Sequence, residues 1–298
     1  MLRLLEPNII SYFPIITNST GVTAHNVLFT TIPTSAYLLR NQGIFWEPGA
    51  YQTFLNFALI FVLFIDVENI QRKTLILTCA ILTTLSTTGY LVALLIFMAY
   101  IIDLLLSKKE ANNRKYKYLL LAIISLIIGV VIFINLPDKA RYQLFGKVSN
   151  YLSSDIHNST TRSSTSVRVD AFIYAIKAFF ASPIFGIGYT DLENLAIREG
   201  FLMWTATPAN WLAVFGFIPG LVLNVGLVKL ALNLSDKWIV KFILVVSIFL
   251  TIIAEEYSRN PSILIFCLYG YNMSKLHNLK SFVYWVLRLQ SAPPSKLV

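Results

Sequence analysis

The sequence has few charged residues. Asp, Glu, Lys and Arg together make up 13% of its 298 residues, whereas soluble domains contain about 25%. Hydrophobic residues account for 56% of the chain, and several apolar runs are long enough to form membrane helices. The composition therefore excludes an ordinary soluble domain and indicates an integral membrane protein.

Cysteine and histidine are scarce as well. Cys79 and Cys267 both lie in apolar runs, where a small buried side chain is expected, and His25, His157 and His277 are scattered. The sequence shows no metal-ligand spacing, phosphate-binding loop, nucleophile elbow or dinucleotide glycine pattern. We therefore predict no metal site and no cofactor.

The net charge of +9 is concentrated in short connections between apolar runs. Residues 107–117 are the richest, with five lysines and arginines against Glu110. Because short basic loops stay on the cytoplasmic side of a membrane, this pattern indicates orientation and does not indicate a nucleic-acid partner.

The apolar pattern predicts an all-α protein, a polytopic transmembrane bundle of about six or seven spans. One long external loop is predicted to carry an amphipathic helix. The predicted segments are an external N-terminal segment at 1–50, transmembrane helices at 51–135, an external loop at 136–207, transmembrane helices at 208–274 and a cytoplasmic basic tail at 275–298.

Individual helices can be predicted within these segments. The apolar run 74–106 is too long for one crossing and is expected to break at residues 86–89, which read Ser-Thr-Thr-Gly. Apolar residues at helical spacing predict the amphipathic helix at 166–182. We expect 208–228 and 238–254 to be two single spans.

Residues Arg40–Gly49 place an arginine and a glutamate close together, just before an apolar run. Arg40 suits a diphosphate because its guanidinium is always charged and binds two oxygens at once. Glu47, partly shielded from water, would gain basicity, as a proton acceptor needs. A salt bridge between the two residues that fixes the loop is the equally weighted alternative.

Further polar residues map to the same outer side. Arg168 is a candidate for diphosphate binding, with snorkelling to lipid headgroups as the alternative. Arg198 and Glu255 are candidate substrate ligands because ionisable groups beside membrane helices tend to be functional. Asn210 either caps or bridges helices, or it forms a hydrogen bond with a substrate. Glu255 and Glu256 compete with Glu47 for the role of base.

Three motifs in order carry a resemblance to a known family. Arg40–Gly49, then Leu85–Tyr90, then Arg168 ahead of Ser182–Gly188 resemble the O-antigen and capsular polysaccharide polymerases, which share a superfamily with the O-antigen ligases. The similarity covers about residues 35–270.

The resemblance implies a metal-independent membrane glycosyltransferase. Such an enzyme moves a growing glycan from undecaprenyl diphosphate onto a fresh lipid-linked repeat unit, at the outer face of the bacterial inner membrane. By position, Arg40 and Arg168 would bind diphosphate, Glu47 would be the base or a sugar ligand, and Gly186 and Gly188 would shape the loop. The implied partners are the lipid-linked oligosaccharide and the bilayer, with chain-length regulator and flippase proteins as further candidates.

Two departures from the family keep other hypotheses open. The chain has fewer spans than family members, which suggests an N-terminally truncated member. It also has Ala209-Asn210 where ligases carry a histidine, which favours a polymerase. The alternatives are a transporter or flippase of lipid-linked sugars, and an inactive C-terminal fragment of a polymerase.

Overall fold

The computed structural model is mostly helical. It describes residues 12–17, 23–27, 30–33, 41–45, 47–66, 69–107, 164–198 and 205–272. The helices are α1 (Pro48–Phe64), α2 (Ile70–Thr83), α3 (Thr87–Leu106), α4 (Ser164–Ala181), α5 (Gly188–Arg198), α6 (Thr207–Phe215), α7 (Phe217–Leu232), α8 (Trp238–Ile253) and α9 (261–272).

The apolar helices α1, α3 and α8 form the centre of the fold. Among the described residues, α3 is the helix that is long and apolar enough to cross a bilayer, while α1, α7 and α8 are apolar but shorter. Helix α8 packs against both α3 and α1. Ile96, Leu244 and Ile248 are fully buried between them. This core agrees with the prediction of a helical membrane protein. The number of membrane spans, six or seven, remains a prediction.

The predicted break within 74–106 is present between α2 and α3, but it lies at residues 84–86, and residues 87–89 already belong to α3. Ser86 caps α3, because its hydroxyl accepts a hydrogen bond from the Gly89 N–H at 3.3 Å. Gly89 also lets α3 approach α1 closely, since a Cβ there would lie 2.7 Å from Gln52 Oε1. Asn56 Nδ2 donates to the same oxygen within α1 at 2.7 Å and to the Gly89 carbonyl of α3 at 3.3 Å, so a polar side chain bridges these apolar helices.

The predicted single span at 208–228 is wrong, because the structure has two helices there. The chain turns at Gly216, whose φ of +79° suits glycine. After this turn, α7 runs back along α6. Gly220 packs against Leu212, and Asn224 Nδ2 donates to the Pro208 carbonyl at 3.0 Å. An apolar helical hairpin has the same composition as one long span, so the sequence pattern did not distinguish them.

The N-terminal segment also departs from the all-α prediction. Its described part contains three short antiparallel strands in the order β1 (Ile15–Thr17), β2 (Thr23–Val27) and β3 (Thr30–Pro33). Ile15 pairs with His25, and His25 pairs in turn with Ile32. These strands are rich in Ile and Thr, whose branched side chains favour extended backbone.

Helix α4 nearly coincides with the amphipathic helix predicted at 166–182. Its inner face is made of Ala171, Ala175 and Ala178, which are buried, and it packs against α6. Phe172 and Phe180 on its other face are exposed. Small residues on the inner face allow the two helices to approach closely, and this approach positions Arg168 near the end of the bundle.

Two groups of contacts mark opposite ends of the bundle. At one end, the Asn41 N–H donates to the Thr83 carbonyl at 3.0 Å, and Gly49 lies against Glu255. At the other end, Lys237 Nζ lies 3.2 Å from Asp103 Oδ1. Of the predicted site residues, Glu47, Arg168 and Glu255 lie toward the first end, where α1 begins and α8 ends.

Candidate functional site

The connection from α8 to α9 carries the central carboxylate of the site. Glu255 is 7% exposed, and its Oε1 lies 3.8 Å from Arg168 Nη2 of α4. Thr207 fixes the backbone on both sides of it: its hydroxyl donates to the Glu255 carbonyl at 2.8 Å and accepts from the Tyr257 N–H at 2.7 Å. The buried carboxylate is therefore held in place by α6 and faces a guanidinium.

Helix α1 provides the opposite wall. Pro48 occupies its first turn, a position where proline is compatible with a helix, and Glu47 precedes it. Gly49 touches the Glu255 carboxylate, because a Cβ at this position would lie 2.0 Å from Oε1. A glycine here therefore makes the room that the buried carboxylate occupies.

Tyr257 lies among these charged groups. Burial raises the pKa of its hydroxyl well above the ordinary value of 10.0, and the charges of Glu255 and Glu47 raise it further, whereas the nearby Thr53 and Arg168 lower it. All of these groups act on one hydroxyl, so the structure brings together three residues predicted from sequence, Glu47, Arg168 and Glu255. Tyr257 was not predicted, although it directly follows Glu255 and Glu256 in the sequence.

The next carboxylate, Glu256, has a different set of partners. Its Oε1 accepts hydrogen bonds from the Ser258 N–H at 2.7 Å and from the Ser258 hydroxyl, and its Oε2 accepts one from Asn210 Nδ2. Burial raises the pKa of this carboxyl above the ordinary value of 4.5, although these hydrogen bonds act in the opposite direction.

A cavity of about 410 Å³ opens beside Glu256. On one side, the Tyr189 hydroxyl donates to the Ser258 carbonyl at 2.6 Å, and the Arg259 guanidinium lies 4.4 Å from the centre of the Tyr189 ring. Arg259 also pairs with Glu193 at 3.3 Å. The residues that line the cavity are Tyr189, Leu192, Glu193, Asn210, Glu256, Ser258, Arg259, Asn260 and Pro261.

The other predicted residues are distributed as follows. Asn210 is 1% exposed, and its amide joins the Thr205 carbonyl to Glu256 in the connection between α8 and α9. Arg198 is exposed in the last turn of α5 and does not line the cavity. Arg40 lies outside the described residues.

Gly186 and Gly188 form the turn between α4 and α5. Their φ angles are +73° and +77°, which glycine adopts without strain. Gly186 packs directly on the Val214 carbonyl, and the Ile187 N–H donates to the Ala213 carbonyl at 2.8 Å. The turn is thereby attached to the end of α6, whose other end contacts Glu255.

A metal site is not visible in the part of the chain that the structure describes, where no three His, Cys, Asp or Glu side chains form a group that could hold an ion. The candidate site consists of the arginine and carboxylate groups at one end of the helical bundle.

A family model described as O-antigen ligase matches residues 74–201. The match runs from within α2 to just beyond α5 and includes Arg168, Gly186 and Gly188, whereas Glu47, Asn210 and Glu255 lie outside it. It supports the ligase and polymerase superfamily, a membrane context and a role connected with polysaccharide. No curated protein and no solved structure gave a significant match.

Proposed function

We propose that this chain polymerises undecaprenyl-diphosphate-linked polysaccharide repeat units by glycosyl transfer at the outer face of the inner membrane. The observation that carries the proposal is the Arg168–Glu255 pair. Arg168 comes from the segment that matches the O-antigen ligase model, and it faces a buried carboxylate at one end of the helical bundle. The polymer is an O-antigen, a capsule or an exopolysaccharide.

In the proposed reaction, a hydroxyl oxygen of the acceptor sugar attacks the anomeric carbon of the donor glycan. The bond from that carbon to the diphosphate oxygen breaks, and the lipid diphosphate leaves with the electron pair. Attack from the opposite face inverts the anomeric carbon. The hydroxyl proton passes to a carboxylate, for which Glu47 is our candidate.

Arg168 would stabilise the negative charge that develops on the departing diphosphate, and electrostatic stabilisation of this kind often contributes most of the rate enhancement of an enzyme. Its 3.8 Å separation from Glu255 is an ion pair too long for a hydrogen bond, so this contact does not occupy a guanidinium N–H. Glu255 would hold the guanidinium in place, and an incoming diphosphate would compete with it for the same charge. Arg40 and Arg198 are proposed to add positive charge for the diphosphate.

Transfer without a metal ion is consistent with this use of guanidinium groups, and it is part of the proposal. The chain-length regulator and the flippase that accompany such systems are proposed as partners in the same membrane.

The test is complementation in a host that lacks its own polymerase, with surface glycans separated on a gel. We expect a ladder from the wild-type chain, a single-repeat band from Arg168→Ala, and a partial ladder from Arg168→Lys, because lysine keeps the charge but loses the two-pronged geometry. Arg72→Ala is the matched control, an exposed arginine at the start of α2. Its ladder should equal that of the wild type.

Two outcomes would contradict the proposal. One is a ladder of normal length and amount from Arg168→Ala at equal protein levels. The other is that Arg168→Ala loses the single-repeat surface band as well as the ladder. That pattern indicates a failure to move lipid-linked sugars across the membrane.

A further inference from the structure

Asn210, which lines the cavity beside Glu256, carries a buried acceptor atom without a partner. Asn210 is 1% exposed, and among the described residues its Oδ1 has no hydrogen-bond partner. Its Nδ2 donates both to the Thr205 carbonyl at 3.1 Å and to Glu256. These two acceptors fix the orientation of the amide, so Oδ1 is the atom that remains to be satisfied.

A buried polar atom without a hydrogen bond costs about 1–3 kcal/mol, so such atoms are unusual in folded proteins. Asn210 lines the cavity. A bound group that donates a hydrogen bond there would satisfy Oδ1 and recover this free energy.

The charges around the cavity indicate which donor would bind. Two carboxylates, Glu256 and Glu193, line the cavity together with one guanidinium, Arg259. That guanidinium is already paired with Glu193 and lies over the Tyr189 ring. The cavity is therefore rich in hydrogen-bond acceptors and negatively charged, which disfavours a diphosphate and favours neutral hydroxyl groups.

The shape and the remaining lining agree with a sugar. A volume of about 410 Å³ lies within the range of small-molecule pockets, roughly 300–1,000 Å³. Leu192, Pro261 and the aromatic ring of Tyr189 provide apolar surface between the polar groups. A sugar ring presents C–H groups and hydroxyl groups side by side, and both kinds of surface are available here.

We propose that this cavity binds an uncharged sugar of the acceptor repeat unit, whose hydroxyl groups donate hydrogen bonds to Asn210 Oδ1 and to the Glu256 carboxylate. This inference rests on the proposed function and divides its substrates between two neighbouring regions. The diphosphate of the donor belongs on the Arg168 side of the 254–260 connection, and the acceptor sugar belongs on the Glu256 side.

The experiment measures binding to the purified full chain in detergent and needs no transfer activity. One probe is the oligosaccharide released by mild acid from lipid-linked repeats of the polymerase-deficient source strain. The other is inorganic pyrophosphate. Titration calorimetry gives an affinity for each.

We expect Glu256→Gln and Asn210→Ala each to weaken oligosaccharide binding about tenfold, the effect of losing one good hydrogen bond, and to leave pyrophosphate binding unchanged. Arg168→Ala should weaken pyrophosphate binding and leave oligosaccharide binding unchanged. Asp191→Asn, which removes an exposed carboxylate of α5 that does not line the cavity, should change neither affinity. Thermal unfolding verifies that each variant is folded, and Glu256→Gln provides the test if Asn210→Ala fails to fold.

Unchanged oligosaccharide affinity in the folded variants would overturn the inference, and so would the loss of pyrophosphate binding in Glu256→Gln. The two proposals can fail separately. A chain that binds the oligosaccharide through Glu256 but makes no ladder would contradict the polymerase proposal alone. A chain that makes a ladder, and whose cavity variants bind normally, would contradict the cavity proposal alone.

Discussion

Glu255 and Glu256 are neighbours in the sequence, but their carboxylates lie in different surroundings. Glu255 faces Arg168 at 3.8 Å and touches Gly49, whereas Glu256 accepts hydrogen bonds from Ser258 and Asn210. The chain has left α8 at this point, so successive side chains can point to opposite sides. One short connection thus supplies an acid to each of two adjacent regions.

The first prediction concerns the coupling between Arg168 and Glu255. Arg168→Ala removes the ion pair from a carboxylate that is 7% exposed, and we expect a loss of about 1–3 kcal/mol in the free energy of unfolding. In an Arg168→Ala/Glu255→Gln double variant the buried charge is gone, so the loss should be smaller than the sum of the two single losses. Denaturant unfolding of the purified chain in micelles measures all four proteins. Losses that add to within about 0.3–0.5 kcal/mol would show that the two side chains are not coupled.

The second prediction concerns the space that Gly49 provides. Gly49→Ala places a Cβ 2.0 Å from Glu255 Oε1, so the carboxylate must move. Overpacking of this kind costs about 1–3 kcal/mol, and the ladder should weaken as Glu255 leaves Arg168.

The control for this prediction shortens the acid. In a Glu255→Asp background the clash is relieved, and Gly49→Ala should become neutral or stabilising, because alanine is favoured over glycine in a helix by about 1 kcal/mol. An equal destabilisation in both backgrounds would mean that Glu255 is not the group displaced.

The third prediction compares the two glycines of the α4–α5 turn. Both have positive φ, but a Cβ on Gly188 meets nothing within 4 Å, whereas one on Gly186 would lie 2.3 Å from the Val214 carbonyl oxygen. Gly188→Ala should therefore cost about 1–2 kcal/mol, from backbone strain alone. Gly186→Ala should cost more, since it also separates the turn from α6. Thermal unfolding of the two variants measures the difference, and equal Tm values would show that the turn is not pressed against α6.

The fourth prediction is a pH dependence that comes from Glu256. Burial raises the pKa of this carboxyl above 4.5 in the folded chain, so the folded state binds its proton more tightly than the unfolded state. This contribution to stability is present below the unfolded pKa and is lost as the pH rises through the folded pKa. The charged groups that face Glu256 across the cavity are Arg259 and Glu193.

Glu256→Gln removes that titration. The Tm of the wild type minus the Tm of the variant should therefore fall as the pH is raised from about 4.5 toward neutrality. Asp191→Asn is again the control and should give a difference that does not change with pH in this way. A difference that rises with pH would mean that the folded state lowers the pKa of Glu256.

Local sequence patterns predicted several elements well. Polar residues at 86–89 predicted the end of α2 and the start of α3, because a hydroxyl cap and small residues interrupt an apolar run. Helical spacing of apolar residues predicted α4 within about two residues of its bounds. The apolar pattern at 208–228 predicted one span, which is wrong. The turn at Gly216 depends on α7 packing against α6 through Gly220 and Asn224, and a local pattern does not show this contact.

The candidate site was predicted in part. Glu47, Arg168 and Glu255 were named because charged groups beside apolar helices are unusual, and the structure brings them around one hydroxyl. Tyr257 and Tyr189 were missed because tyrosine is common in this sequence, and no local pattern distinguishes a buried hydroxyl from a membrane-surface one.

The sequence by itself determined the class of protein and the residues that carry charge, because a low charged fraction and long apolar runs depend on composition and order alone. The tertiary structure decided which charges meet. Arg168 reaches Glu255 because the alanine face of α4 packs on α6, while Thr207 of α6 holds the backbone of the 254–260 connection. Periodicity shows which face of a helix is apolar, but the partner of that face is set by how distant helices fit together, and this fit placed Glu255 and Glu256 in separate regions.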